Sequence, residues 1–135
     1  MTLALTACAS NAPDNAAVCQ AVTAGASHVE VVARGIVTQM LGSSTGAGGA
    51  HEGLMMRLNS DCGQTVRVEI NTDFTGVVPV RVGQPITVKG EYETDPDGGV
   101  IHWTHRDPRG HHDSGFVQVG LRASTNFNTT QAISA

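Results

Sequence analysis

Three stretches of the chain alternate apolar and polar residues, which is the pattern of strands with one buried face. Residues 59–63, Asn-Ser-Asp-Cys-Gly, separate the first two stretches and are typical turn formers. We therefore expect a β-hairpin followed by a further strand. The apolar positions are Leu54, Met56 and Leu58 in the first stretch, Val66, Val68 and Ile70 in the second, and Ile86, Val88 and Tyr92 in the third.

A longer strand is predicted upstream of this pattern and two shorter strands are predicted downstream. Residues 29–41 are rich in β-branched side chains, and Gly35 within them suggests a bulge or a bend. Residues 100–105 and 116–121 are the two short strands, and residues 106–115 form the loop between them. The strand pattern predicts that His102 and Thr104 share one face.

The remaining segments are predicted to be loops and one short helix. Residues 42–50 are glycine- and serine-rich and are expected to be a flexible loop rather than a strand. Residues 71–82 are expected to be a loop or an irregular edge, because Pro79 cannot donate to a central ladder. A helix is predicted over residues 16–23. Its cap and end residues would be Asp14 or Asn15 and Gly25.

Together these elements predict an all-β fold, a small five- to six-stranded OB-like barrel with a short N-terminal helix. Closing a sheet on itself removes its edge strands, which favours a barrel for many short strands. An immunoglobulin-like sandwich is the main alternative. The predicted organisation is a truncated lipoprotein-type signal segment at 1–8, a tether and short helix at 9–27, the barrel domain at 28–123 and a polar tail at 124–135.

Composition and charge narrow the class of protein. A chain of 135 residues is one domain, and its 16 glycines and 4% aromatic residues suit short strands with glycine turns. The net charge is −4, which disfavours nucleic acid as a partner because phosphate binding needs clustered positive charge. No apolar run reaches the roughly 18 residues that span a bilayer.

The three cysteines suggest an exported protein. Residues 5–8, Leu-Thr-Ala-Cys, resemble a lipobox, so Cys8 is predicted to carry a lipid anchor on an outer-membrane lipoprotein in the periplasm. The stretch before Cys8 is short and uncharged for a signal peptide, and the alternative is a chance match. Cys19 and Cys62 would then form a disulfide bond. Two free thiols in a cytoplasmic protein are the alternative.

Residues 98–112 hold four of the six histidines and the single tryptophan. The predicted ligand-binding residues are His51, His102, Trp103, His105, Asp107 and His112. An ideal strand points His102 and His105 to opposite faces, so they could converge only if the strand ends or bulges near Thr104. The metal-binding set, with zinc as the candidate ion, is therefore predicted to be His51, His105, Asp107 and His112. The alternative is that these residues have structural roles.

The sequence supports a site but no identified reaction. No Walker motif, dinucleotide fingerprint or G-x-S-x-G elbow is present, although His105 beside Asp107 could act as an oriented base. The first hypothesis is a small-ligand or metal-binding module of the cell envelope. The alternative is a metal-dependent hydrolase acting on phosphodiesters or cell-wall polymers. A structural envelope protein is the third class.

Residues 90–112 also resemble a known family. Gly-Glu-Tyr-Glu, then Gly-Gly-Val-Ile-His-Trp-Thr-His-Arg-Asp-Pro-Arg-Gly-His-His, are similar to the motif of a bacterial family of small exported proteins of unknown function. His51, Asn71 and Asp73 match further positions, and the resemblance covers about residues 28–117. Phe116 stands where the family usually has Trp. The resemblance implies an exported barrel domain and supplies no activity.

Overall fold

The computed structural model describes residues 11–46, 48–59 and 62–120. The predicted lipid anchor at Cys8, and the predicted tail at 124–135, lie outside these described residues. The elements in chain order are α1 (Asn15–Ala24), β1 (Ser27–Gly46), β2 (Gly49–Leu58), β3 (Thr65–Asn71), α2 (Thr72–Thr75), β4 (Pro85–Glu93), β5 (Val100–His102) and β6 (Phe116–Val119).

The six strands form one mixed sheet in the order β1-β2-β3-β5-β4-β6. Strand β1 also pairs with β4, so five of the strands form a ring and β6 extends it from β4. Strands β3 and β5 run parallel, and the other pairs are antiparallel. The prediction of a mostly β fold with one short N-terminal helix is confirmed. A sandwich would need two sheets, whereas these strands belong to one.

The alternating apolar residues of β2, β3 and β4 fill the core, as predicted. Strand β4 is unusual because its polar face is also covered: Thr87 is 5% exposed and Lys89 is 8% exposed. The cover comes from β6, which pairs with β4, and from Asn11, whose side-chain oxygen accepts a hydrogen bond from Lys89 Nζ at 3.1 Å. Strand β4 therefore lies at the centre of the structure, paired along both edges, and its polar face is buried at Thr87 and Lys89.

The prediction that residues 42–50 are a flexible loop is wrong. Strands β1 and β2 continue as a hairpin through this segment and pair as far as Gly46 and Gly49. Side chains from the β3–α2 junction hold the end of the hairpin. Asn71 Nδ2 donates to the Gly48 carbonyl at 2.9 Å, and the Ala50 N–H donates to Asp73 Oδ2 at 3.0 Å. Composition alone could not show these long-range contacts.

Helix α1 packs its Val18 side chain into the core and is linked to the segment after β2 by a disulfide bond. Asp14 caps the helix by accepting from the Ala17 N–H at 3.1 Å, and Gly25 ends it in the left-handed conformation. The predicted disulfide bond joins Cys19 of the helix to Cys62, just after β2, with a Cα–Cα distance of 6.2 Å. No helix in the described part of the chain is long and apolar enough to cross a membrane.

Candidate functional site

Strand β5 ends at His102 and not at residue 105 as predicted, because the backbone leaves the extended conformation at Trp103. Trp103 adopts a positive φ of 56°, a left-handed conformation that is uncommon for a residue other than glycine. The strand alternation stops there, so the condition for His102 and His105 to converge is met. Both line a small cavity of about 60 Å³. The other lining residues are Gly48, His51, Glu69, Asn71 and Trp103.

The segment after Trp103 is fixed by contacts to two strands. Thr104 is 1% exposed, and its hydroxyl donates to the Glu69 carbonyl of β3 at 2.8 Å. The Gly115 N–H donates to the His105 carbonyl at 2.8 Å and closes the loop. A Cβ atom at Gly115 would lie 2.4 Å from the carbonyl oxygens of both Lys89 and Trp103. The loop therefore packs against β4 too closely for any side chain at this position.

His105 is the centre of a cluster of rings. It is 6% exposed, and its imidazole is stacked on the Phe74 ring with centroids 4.4 Å apart and planes 6° apart. His112 meets His105 edge-on at 4.8 Å, and Trp103 contacts His112 at 4.9 Å. Phe74 and Trp103 remain 63% and 42% exposed. Two large aromatic surfaces therefore face solvent next to the buried imidazole of His105.

Asp107 binds backbone amides of its own loop. Its carboxylate accepts hydrogen bonds from the N–H groups of Arg109 at 2.9 Å, His112 at 2.8 Å and His111. Burial alone would raise the pKa of Asp107, but the amides of His112, Arg109 and His111 outweigh it and leave the pKa lowered. The Nδ1 atom of His105 contacts the Arg106 carbonyl at 3.0 Å, so its partner is not the Asp107 carboxylate. The hypothesis of a His105 base oriented by Asp107 is not supported by this arrangement.

A cleft of about 510 Å³ opens over the ring cluster. Of the six predicted ligand residues, Trp103, His105, Asp107 and His112 line this cleft, whereas His51 and His102 line the smaller cavity beside it. Trp103 and His105 border both spaces. The cleft is also lined by Phe74, Glu91, Pro108, Arg109 and His111.

The predicted zinc ligands do not come together as a set in the described residues. Groups of three or more metal-binding side chains, with ligand atoms within 4.8 Å of one another, include His28, Glu91 and Glu93 there. They do not include the predicted set of His51, His105, Asp107 and His112. Asp107 Oδ2 and His112 Nε2 are 3.8 Å apart, and His51 Nδ1 is directed at the Gly49 carbonyl at 3.0 Å.

His28 lies between two glutamates on the outer face of the sheet. Its Nδ1 atom is 2.7 Å from Glu91 Oε1 and 3.2 Å from Glu93 Oε1. The hydrogen bond with Glu91, and then the charges of both glutamates, raise the pKa of His28. His102 Nε2 is 3.4 Å from Glu93 Oε2, but it is buried and makes no hydrogen bond of acceptable geometry. Burial lowers the pKa of His102, although Glu93 and Glu91 act against it.

Comparison with known families gives a match over most of the chain. The family model described as "Protein of unknown function (DUF3465)" matches residues 1–124. The chain belongs to this family. No curated protein and no solved structure matches the chain. The predicted resemblance to a family of unknown function is thereby confirmed, while the family's motif and its exported character stay predictions.

The sequence did not indicate two residues that line the cleft, Phe74 and Glu91, or His28 on the outer face of the sheet. Phe74 lies in a segment predicted to be a loop, and only the capping pattern of Asn71 and Asp73 around it indicates helix α2. Glu91 belongs to the Gly-Glu-Tyr-Glu part of the motif, which gives no sign that it reaches the cleft. His28 precedes the predicted strand, so the alternation does not predict which face of the sheet its side chain occupies.

Proposed function

We propose that this protein is a non-catalytic binding module that holds a small, polar, ring-bearing molecule in the cleft above His105. The observation that carries the proposal is the pair of exposed rings, Phe74 and Trp103, next to that histidine. Exposed aromatic surface rimmed by polar groups is typical of ligand-binding sites. A saccharide unit of a cell-wall polymer has the flat apolar face and the hydroxyl groups that such a cleft accepts.

The backbone at Trp103 supports the proposal. A left-handed conformation costs a bulky residue on the order of 1–3 kcal/mol, and such strain is concentrated at binding sites. Here it turns the single tryptophan outwards, so that the indole is 42% exposed. A tryptophan with only a structural role in the core would be stabilised by burial. The strain and the exposure together favour an indole that contacts a ligand.

The chemistry of the lining also fits this class of ligand. The volume of about 510 Å³ falls within the range of small-molecule sites. The rings supply apolar contact, while Arg109, His111 and Glu91 provide hydrogen-bonding groups around them. Stacking of a flat ligand on an aromatic side chain contributes about 1–3 kcal/mol in the well-studied case of nucleic-acid bases.

We infer that the ring of five strands is a small OB-like barrel. The support is its strand order, β1-β2-β3-β5-β4, with β1 and β4 pairing to complete the ring. Binding faces of OB-folds are formed by strands 2 and 3 with the adjoining loops. The cleft here is built mainly from the segment after β5 and from helix α2, so its position is particular to this chain.

We further propose that the protein acts in the periplasm as an outer-membrane lipoprotein anchored through Cys8. The Cys19–Cys62 disulfide bond supports an oxidising compartment, since cytosolic thiols are kept reduced. Cell fractionation tests the anchor. The wild-type protein is expected with the membranes and Cys8→Ala in the soluble fraction. An unchanged distribution would rule out the anchor.

Hydrolysis of a phosphodiester or cell-wall polymer is the weaker candidate. The arrangement predicted for such chemistry is a His105 base oriented by Asp107, but the Asp107 carboxylate accepts three amide hydrogen bonds instead. The His105 Nδ1 atom is directed at the Arg106 carbonyl, a partner that also orients an imidazole. The specific pair of His105 and Asp107 therefore gains no support from these contacts.

Intrinsic fluorescence tests the binding proposal, because Trp103 is the single tryptophan and lines the cleft. The probe is the disaccharide of N-acetylglucosamine, titrated into untagged protein. We expect a saturable change in emission that weakens about tenfold in Phe74→Ala, the equivalent of one aromatic contact. Val77→Ala is the matched control, since Val77 is 82% exposed and does not line the cleft.

Two results would count against the proposal. The first is an absence of any saturable change in emission up to about 10 mM disaccharide, which corresponds to negligible affinity. The second is equal binding by Phe74→Ala and the wild type. Product analysis after incubation distinguishes binding from hydrolysis, because cleavage would release the monosaccharide.

A further inference from the structure

We propose that His28, Glu91 and Glu93 bind a zinc ion on the outer face of strands β1 and β4. This site is distinct from the zinc ligands that the sequence predicts. It also goes beyond the proposed binding of a ring-bearing molecule, which requires no metal ion. The three side chains each offer one ligand atom, and these atoms lie within 4.8 Å of one another.

A β-bulge creates the site. Ser27 pairs with Glu93 and Val29 pairs with Tyr92, so His28 is an extra residue in β1 with no partner in β4. In regular pairing His28 would stand opposite Tyr92 and point towards the core. The bulge, with a φ of 60° at His28, instead turns its ring to the face that carries Glu91 and Glu93. Bulges often redirect a side chain next to a functional site.

The distances are close to those of a zinc site. Ligand atoms about 2.0–2.1 Å from a tetrahedral zinc ion lie roughly 3.3 Å from one another. His28 Nδ1 and Glu93 Oε1 are already 3.2 Å apart. His28 Nδ1 and Glu91 Oε1 are 2.7 Å apart, a hydrogen-bond distance that a small rotation of either side chain would open. A zinc ion would therefore replace the hydrogen-bonded proton between His28 and Glu91, whose ligand atoms already lie close to the positions that zinc requires.

His102 contacts Glu93 from outside the group of three ligands. It stands opposite Glu91 in the β4–β5 pair, and its Nε2 atom is 3.4 Å from the second oxygen of Glu93. That nitrogen is buried without a well-formed hydrogen bond. Carboxylates that bind metals are commonly oriented by such a partner, which fixes the lone pair directed at the ion. His102 would thus be a positioning residue for Glu93.

The donor set favours zinc over magnesium or calcium. One imidazole nitrogen and two carboxylate oxygens suit zinc, whereas magnesium and calcium prefer oxygen ligands only. Three protein ligands would leave a fourth position for water or another small group. Because Glu91 also lines the cleft, the ion would lie at the edge of the space proposed for the organic ligand. His28 is 79% exposed, so an ion could reach it from solvent.

Calorimetric titration of untagged full-length protein with zinc tests the proposal, with cobalt absorption as a spectroscopic readout of the coordination. We expect one equivalent of zinc in the wild type and no stoichiometric binding in His28→Gly or Glu93→Gln. Glycine tolerates the positive φ at this position, and glutamine preserves the shape of glutamate. His102→Ala should weaken binding about 10- to 100-fold. Thermal unfolding checks that each variant is folded.

Glu52→Gln is the matched control for Glu93→Gln, because Glu52 lies on β2 outside the group of three. Its zinc affinity should equal that of the wild type. Less than about a tenth of an equivalent of zinc in the wild type would overturn the proposal. So would zinc binding that survives in His28→Gly and is lost in His51→Ala or His112→Ala. Fluorescence titration with the disaccharide in the presence of a chelator tests the cleft separately.

Discussion

The imidazole of His105 lies flat against the phenyl ring of Phe74, with centroids 4.4 Å apart and planes 6° apart. Phe74 is 63% exposed, so the pair forms at the surface and its apolar burial is small. We expect Phe74→Ala to lower the free energy of unfolding by about 1 kcal/mol, the usual contribution of a ring pair. Urea unfolding measures this change. A loss above about 3 kcal/mol would indicate a core role for Phe74.

Gly115 is the position where the histidine-bearing loop comes closest to β4. Alanine there would place a Cβ atom 2.4 Å from two carbonyl oxygens and 2.9 Å from the Thr104 Cα atom. We expect Gly115→Ala to lower the free energy of unfolding by about 1–3 kcal/mol and to shift the emission of Trp103. Gly46→Ala is the control, since nothing lies within 4 Å of its Cβ position. Equal stability of the two variants would contradict the packing argument.

The loop around Asp107 should lose its order in acid. Its amide partners leave the pKa of Asp107 lowered in the folded protein, although burial opposes them. A lowered folded-state pKa means that the stabilisation is present above the unfolded value, near pH 4, and is lost as the pH falls through the folded value. Hydrogen-exchange protection of the His111 and His112 amides should therefore fall in that window.

Asp107→Asn provides the comparison for this acid effect. The variant should already show reduced protection of the two histidine amides at pH 6, because its neutral side chain is a weaker acceptor. Its difference from the wild type should shrink only as the pH falls through the lowered folded-state pKa of Asp107, where the wild-type carboxyl also becomes neutral. Equal protection at pH 6 would mean that the carboxylate does not hold the loop.

The Cys19–Cys62 disulfide bond closes a loop with a sequence separation of 43. On the chain-entropy model such a cross-link contributes about 4 kcal/mol. Since domains are stable by only about 5–15 kcal/mol, the double variant Cys19→Ser/Cys62→Ser should be close to unfolding at 37 °C. Denaturant titration measures the loss, and reduced wild-type protein should show the same midpoint. An unchanged midpoint would mean that packing of α1 is sufficient.

Strands β2, β3 and β4 were largely predictable because apolar residues that face the core alternate with polar residues in each of them. Alternation located Leu54, Val68 and Ile86 in the core without knowledge of their partners. The prediction from composition failed for residues 42–50, because hydrogen bonds with Asn71 and Asp73 hold this glycine-rich segment in the hairpin. Such contacts join residues more than twenty positions apart, so no local pattern reports them.

The sequence identified several residues of the candidate site but not how they are arranged. His105 and Trp103 could be selected because four histidines and the tryptophan cluster in fifteen residues. Their directions depend on the left-handed backbone conformation of Trp103, and a sequence pattern does not reveal one left-handed residue. His28 was missed for the same reason, because a β-bulge sets the direction of its side chain.

The parallel pairing of β3 with β5 is the shortest pairing of the sheet. Two residue pairs join these strands, Arg67 with Val100 and Val68 with Ile101, and β5 itself has three residues. A pairing of this length should open locally with a lower free-energy cost than the unfolding of the whole sheet. The amides of β5 should then exchange faster than those of β4. A ligand bound in the cleft, which Trp103 and Glu91 both line, should slow that exchange.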